Sequence, residues 1–242
     1  MVEFTKTVRE YALEIPAATR IFEKLGIDYC CGGGKSLADA CARAAVEVDE
    51  VLASLEPNAR SEGISAGKDW QTTSQAELVM YIVENHHAFT RDELERLEAL
   101  LAKVCGVHGQ NHPELFQIQD QFGKLRGDLE PHMLKEESVL FPYIIRMEAA
   151  ALGNQPLPAP PFGTVRNPVR VMMAEHDAVG YILGRIREAS SDYTVPADGC
   201  ISYKTLYSAL TALEVDLHQH IHLENNILFP RAAELEDMSR SI

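Results

Sequence analysis

Between residues 76 and 104 the side chains Ala76, Met80, Val83, His87, Thr90, Leu94, Leu97, Leu101 and Val104 return at steps of four and three. That spacing turns one stripe of an α-helix toward a partner. The same rhythm recurs in Ile118, Phe122, Leu125, Leu129, His132, Glu136 and Leu140, and again in Leu206, Leu210, Leu213, Leu217, His220, Glu224 and Leu228. A further helix carries Val169, Met173, His176, Val179, Leu183 and Ile186, with Asn167 as its expected cap and Pro168 at its first position. Four long amphipathic helices predict a four-helix bundle.

Shorter signals precede them. Residues 16–25 read as a short helix stopped at Gly26, Ser36 as the cap of a second helix with Asp39 in its first turn, and Asp49 as the start of a third. From Pro57 to Lys68 the chain is polar, rich in Gly and Ser and without hydrophobic period, which reads as a linker. The stretch 152–168 holds five prolines and is expected to be neither helix nor central strand. Strict apolar–polar alternation is scarce, so the expected class is all-α: a small helical domain over 1–57, a linker over 58–68 and the bundle over 69–242.

Polar residues on the apolar stripes carry the chemistry. His87, His132, His176 and His220 each interrupt one stripe, and Glu136 and Glu224 follow His132 and His220 by four residues. A single buried histidine is ordinarily a core residue satisfied by hydrogen bonding. Four of them with two carboxylates differ, because an ionised buried carboxylate needs compensating positive charge and neither stripe offers Lys or Arg. A metal supplies that charge. The segments HMLKEESVLFP (132–142) and HIHLENNILFP (220–230) repeat His, Glu four later and Leu-Phe-Pro; their histidines lie 88 residues apart, and His87 and His176 lie 89 apart. Two equivalent half-sites predict a dinuclear centre in which each metal takes two imidazoles while Glu136 and Glu224 bridge. Imidazole and carboxylate ligands suit iron or manganese, with iron the first choice, and leave positions for water, an oxo bridge or a small diatomic.

The remaining histidines receive plainer readings. His86 and His218 stand about 100° from the stripe and His222 about 200° from His220, facing solvent or the surroundings of the ligands. His86 is the substitute for His87 if the helix phase is off by one residue. His108 and His112 fall in a loop, and Glu137 and Glu175 read as solvated charges. Cys30 and Cys31 lie in a loop before three glycines, where an accessible, labile thiol pair can serve redox or soft-metal chemistry. Cys41, Cys105 and Cys200 read as isolated small apolar residues.

A formal net charge of -14 disfavours nucleic acid and anionic membrane surfaces as partners. No stretch approaches the roughly 18 apolar residues of a membrane span, and the first residues lack the order of a secretory signal, so the expected compartment is the cytoplasm. Five cysteines without regular spacing argue against a disulfide framework.

DYCCGG (28–33), KDW (68–70), HMLKEESVLFP, AEHD (174–177) and HIHLENNILFP together resemble the di-iron iron–sulfur cluster repair proteins, the repair of iron centres family. The resemblance implies a hemerythrin-like bundle with two non-haem irons, oxo- and carboxylate-bridged, that restores clusters damaged by nitric oxide or peroxide in iron–sulfur client proteins. It implies His87, His132, Glu136, His176, His220 and Glu224 as ligands. Cys30 and Cys31 are expected to act in the chemistry, with NO or O2 as the small partner. A gas-binding or redox sensor without turnover is the alternative function. Neither enzymatic turnover nor a homodimer is decided by the sequence. Oxygen carriers of the hemerythrin type use more histidines, which argues against reversible oxygen transport. The long Pro-rich connection and Pro131, expected to kink the second helix, depart from the family pattern.

Overall fold

The computed structural model describes residues 6–15, 17–59, 68–157 and 159–240, and no residue among them lies in an extended strand. The chain divides into two compact units, one of residues 1–74 with 218–231 and one of 75–217 with 232–242.

In the first unit, α1 (Val8–Glu14) opens with a reciprocal cap: the Thr7 hydroxyl accepts from the Glu10 N–H while the Glu10 carboxylate accepts from the Thr7 N–H. Helix α2 (Ala18–Lys24) ends as expected before Gly26, which takes φ +66°. Ser36 caps α3 (Leu37–Ala44) by accepting from the Asp39 N–H. Helix α4 (Val48–Ala59) runs past Pro57 into residues expected to be linker, and the remaining linker residues, 60–67, lie outside those described. Val8, Tyr11, Phe22, Ile27, Tyr29, Leu37 and Val51 form a buried core for these helices, joined by Cys41 as a small apolar residue.

Three long helices and the two end stretches of a fourth make up the second unit. Helix α5 comprises Gln75–Tyr81, Ile82–His87 and Ala88–His108; α6 comprises Glu114–Lys135, Glu136–Leu140 and Phe141–Leu152; α7 is Arg166–Ala189; α8 comprises Ile201–Leu223, Glu224–Leu228 and Phe229–Arg240. Helix α6 packs along both α5 and α7. Asp216 on α8 meets His86 of α5 at 2.9 Å, and Glu214 meets Arg187 of α7 at 2.9 Å. The middle of α8, residues 218–231, belongs to the first unit. Among the described residues no helix is long and apolar enough to cross a membrane.

The stripes of α6 and α8 are buried at every expected position. The stripe of α5 holds from His87 onward but fails before it: Met80 is exposed, and Leu78, Val79 and Ile82 are buried instead. The cause is the π-helical turn Ile82–His87, whose i→i+5 hydrogen bonding inserts one extra residue and shifts the phase of everything upstream. On α7 Met172, not Met173, is buried, and the helix starts at Arg166, ahead of the expected cap Asn167. Pro131 lies inside α6 without ending it.

Candidate metal centre

Three π-helical turns occur in the long helices, and each holds a residue of the expected ligand set: Ile82–His87 ends on His87, Glu136–Leu140 begins with Glu136, and Glu224–Leu228 begins with Glu224. Two of the three are followed by Phe-Pro. Pro142 and Pro230 have no N–H for the carbonyl four residues back, so the regular ladder is already broken there and the wider turn accommodates the ring.

Within the second unit, His87, His132, Glu136 and His176 are all at most 1% exposed. His132 Nε2 stands 3.3 Å from Glu136 Oε2, and His87 Nε2 stands 3.5 Å from the same oxygen. His176 Nε2 is 3.1 Å from His132 Nε2. The opposite nitrogens are held by carboxylates: Glu137 Oε1 lies 2.6 Å from His87 Nδ1, and Glu175 Oε2 lies 2.8 Å from His132 Nδ1. Arg91 bonds Glu137 and Lys135 bonds Glu175. Partial burial pushes both carboxyls up, but hydrogen bonds from His87 and Arg91, and from Lys135 and His132, leave them below the ordinary range. As ionised acceptors they fix each imidazole proton on Nδ1, which leaves Nε2 as a lone-pair donor. Both are expected from the sequence to be solvated charges and instead hold the imidazoles of His87 and His132.

Within the first unit, His220 Nε2 lies 3.0 Å from Glu224 Oε1, and both residues are buried. Around them stand histidines expected to face either solvent or the surroundings of the ligands. His222 is buried against Tyr29 with ring centroids 5.5 Å apart, and burial lowers its pKa to about 4. His218 bonds Glu23 at 2.9 Å. On α5 of the other unit, His86 is likewise buried rather than solvent-facing, bonded to Asp216 and edge-on to Tyr81.

The cysteine loop also differs from expectation. Cys30 is buried and only Cys31 is partly exposed. Asp28 Oδ1 accepts from the N–H groups of Cys31 at 3.0 Å and Gly32 at 2.9 Å, and lies 3.5 Å from Cys30 Sγ. The Asn226 amide donates to the Tyr29 carbonyl at 3.1 Å, tying the loop to the stretch that carries His220 and Glu224. Gly33 is required by crowding: a Cβ there would stand 2.9 Å from the Tyr29 carbonyl oxygen and 3.0 Å from Asn226 Oδ1. The Cys30 thiol is raised well above its ordinary pKa by its hydrogen bond with Cys31 and by burial. Donor atoms of Asp28, Cys30 and Cys31 all lie within 4.8 Å of one another.

The donor set of buried imidazoles and carboxylates, with Nε2 lone pairs prepared by carboxylates behind them, fits a metal cation. Residues 78–232 match the family described as Hemerythrin HHE cation binding domain. The chain belongs to the hemerythrin HHE cation-binding family. Residues 4–59 of this hemerythrin-family chain match a separate domain of unknown function, DUF542. The chain is also 36% identical over 222 residues to the "Probable iron-sulfur cluster repair protein" of Haemophilus influenzae, covering 92% of this chain and 94% of that one. With the "Iron-sulfur cluster repair protein YtfE" of Escherichia coli O81 it shares 36% identity over 223 residues, with the same coverage. The protein of the same name from Escherichia fergusonii is 35% identical over 223 residues, again covering 92% and 94%. This hemerythrin-family chain is therefore also a member of the iron–sulfur cluster repair group.

Proposed function

We propose that this chain is a cytoplasmic di-iron protein that restores iron–sulfur clusters damaged by nitrosative or oxidative stress in client proteins. Its relatives carry cluster repair in their names. The observation that carries the metal reading is the pair of carboxylates, Glu137 and Glu175, seated on the Nδ1 atoms of His87 and His132. A core histidine needs only one satisfied hydrogen bond; a ligand needs its second nitrogen held as a lone pair.

In this reading His87, His132, His176 and His220, with Glu136 and Glu224, would hold the two irons. The bound pair would supply redox electrons and open positions for NO or O2 beside an oxo bridge. Glu137 and Glu175 keep the imidazoles in the ligating tautomer, and Arg91 and Lys135 keep those carboxylates ionised. Apolar neighbours such as Phe141, stacked on His87 at 5.7 Å, exclude bulk water. Cys30 and Cys31, with Asp28 beside them, provide soft donors that accept ferrous iron in transit to a client cluster, metal binding displacing the thiol protons.

The test is reconstituted repair of a nitric oxide-damaged cluster. The iron-loaded chain restores the cluster, whereas a Cys30→Ala, Cys31→Ala variant keeps its iron and helicity and does not. Stoichiometric gas binding without any repair would contradict the reading and favour a sensor.

A further inference from the structure

Cys200 precedes Ile201, the first residue of α8, and it is exposed, contrary to its reading as a small apolar residue. Its Sγ lies 3.1 Å from Nε2 of His108, the last residue of α5. His108 packs edge-on to Tyr203 at 5.4 Å and lies 6.2 Å from the His112 ring. His112 in turn is held by Asp198 at 3.0 Å and by Glu114 at 3.1 Å. The sulfur therefore sits in a polar cluster drawn from α5, the following turn and the segment entering α8. Backbone hydrogen bonding by Tyr203, then His108, lowers the thiol to about 7, whereas Cys30, Cys41 and Cys105 are all raised. A thiolate at a helix start beside an imidazole is an activated nucleophile.

We propose that Cys200 is a reversible S-thiolation site, a nucleophile positioned by His108 and the start of α8 that exchanges with low-molecular-weight disulfides. The Cys200 thiolate attacks one sulfur of the disulfide. A new S–S bond forms as the old one breaks, and the departing thiolate leaves with the electron pair and takes a proton from solvent. Cys200 is oxidised and half of the incoming disulfide is reduced, so no other oxidant enters. The His108 Nε2–H bond to the sulfur stabilises the thiolate before attack.

The experiment treats the full chain with glutathione disulfide and maps adducts by peptide mass spectrometry, alongside iodoacetamide alkylation across pH. At pH 7 the adduct forms at Cys200 about threefold or more faster than at the less exposed Cys31. The alkylation profile of Cys200 has its midpoint near 7. His108→Ala moves that midpoint upward toward the ordinary thiol range near ~8.5 and slows thiolation at pH 6.5 by about threefold. A midpoint near ~8.5 in the unaltered chain, first modification at Cys31, or a profile unchanged by His108→Ala would overturn the proposal.

Discussion

His132 Nε2 and His176 Nε2 stand 3.1 Å apart across the α6–α7 packing. With its proton on Nδ1 toward Glu175, His132 points a lone pair at its neighbour. Two nitrogens bound cis to one metal at about 2.1 Å are separated by about 3.0 Å, so the spacing has room for an ion in place of a hydrogen bond, and a proposed shared metal gives the first prediction. His132→Ala or His176→Ala is expected to remove about one of two irons per chain. His218→Ala, whose ring is occupied by Glu23, is expected to leave iron content unchanged, measured by elemental analysis after reconstitution.

The carboxylates behind the ligands give a separate expectation. Glu137→Ala and Glu175→Ala leave the donor atoms in place but free the imidazoles to rotate and change tautomer. Metal affinity should fall about 10- to 100-fold in each, read by chelator competition, while circular dichroism stays constant. Equal affinity in both variants would make the contacts incidental.

The periodicity of α6 and α8 is legible at every stripe position, because in both helices the π turn starts at the buried glutamate, Glu136 or Glu224, and the stripe upstream of it is uninterrupted. On α5 the π turn precedes the long regular run, so phase carried backward from His87 missed Leu78 and Ile82. The class, the four helices and the six buried polar residues follow from spacing alone. Tertiary pairing does not: Glu137 meets His87 across 50 positions and Glu175 meets His132 across 43, and no local pattern distinguishes such glutamates from solvated ones. The burial of Cys30 is hidden from the sequence for a similar reason, since the carbonyls of its loop accept from Asn225 and Asn226 far along the chain.

Asn226 offers a direct handle on that loop. Its amide donates to the Tyr29 carbonyl at 3.1 Å and faces His222 Nδ1 at 3.0 Å. Asn226→Ala leaves buried acceptors unsatisfied and should cost about 1–3 kcal/mol in denaturant unfolding. It should also open Cys30 to alkylation, which the unaltered loop protects.

A pH dependence belongs to His112. Its hydrogen bond with Asp198, with Glu114 assisting, raises its pKa and lowers that of Asp198. The raised histidine contributes stability that is fully present below its unfolded value near ~6.5 and vanishes as pH rises through the folded value. The depressed aspartate contributes above its unfolded value near ~3.9 and loses it as pH falls through the folded value. The Tm difference between the unaltered chain and Asp198→Asn is therefore expected to peak between about pH 4 and 6.5 and to close at alkaline pH. A difference that grows above pH 8 would contradict the assignment.

Glu136 and Glu224 are fully buried, where an ionised carboxylate carries a desolvation cost. Glu136→Leu or Glu224→Leu should weaken or uncouple the iron pair while leaving the metal-free bundle as stable or more so in thermal unfolding. Marked destabilisation of the metal-free variants would make the carboxylates structural.

The most direct measurement is Mössbauer spectroscopy of the full chain reconstituted with 57Fe, combined with iron quantitation. Two irons per chain are expected in an antiferromagnetically coupled, diamagnetic diferric state, with the coupling weakened or lost in Glu136→Leu and Glu224→Leu. A single uncoupled iron per chain, or coupling undiminished in both variants, would contradict that reading.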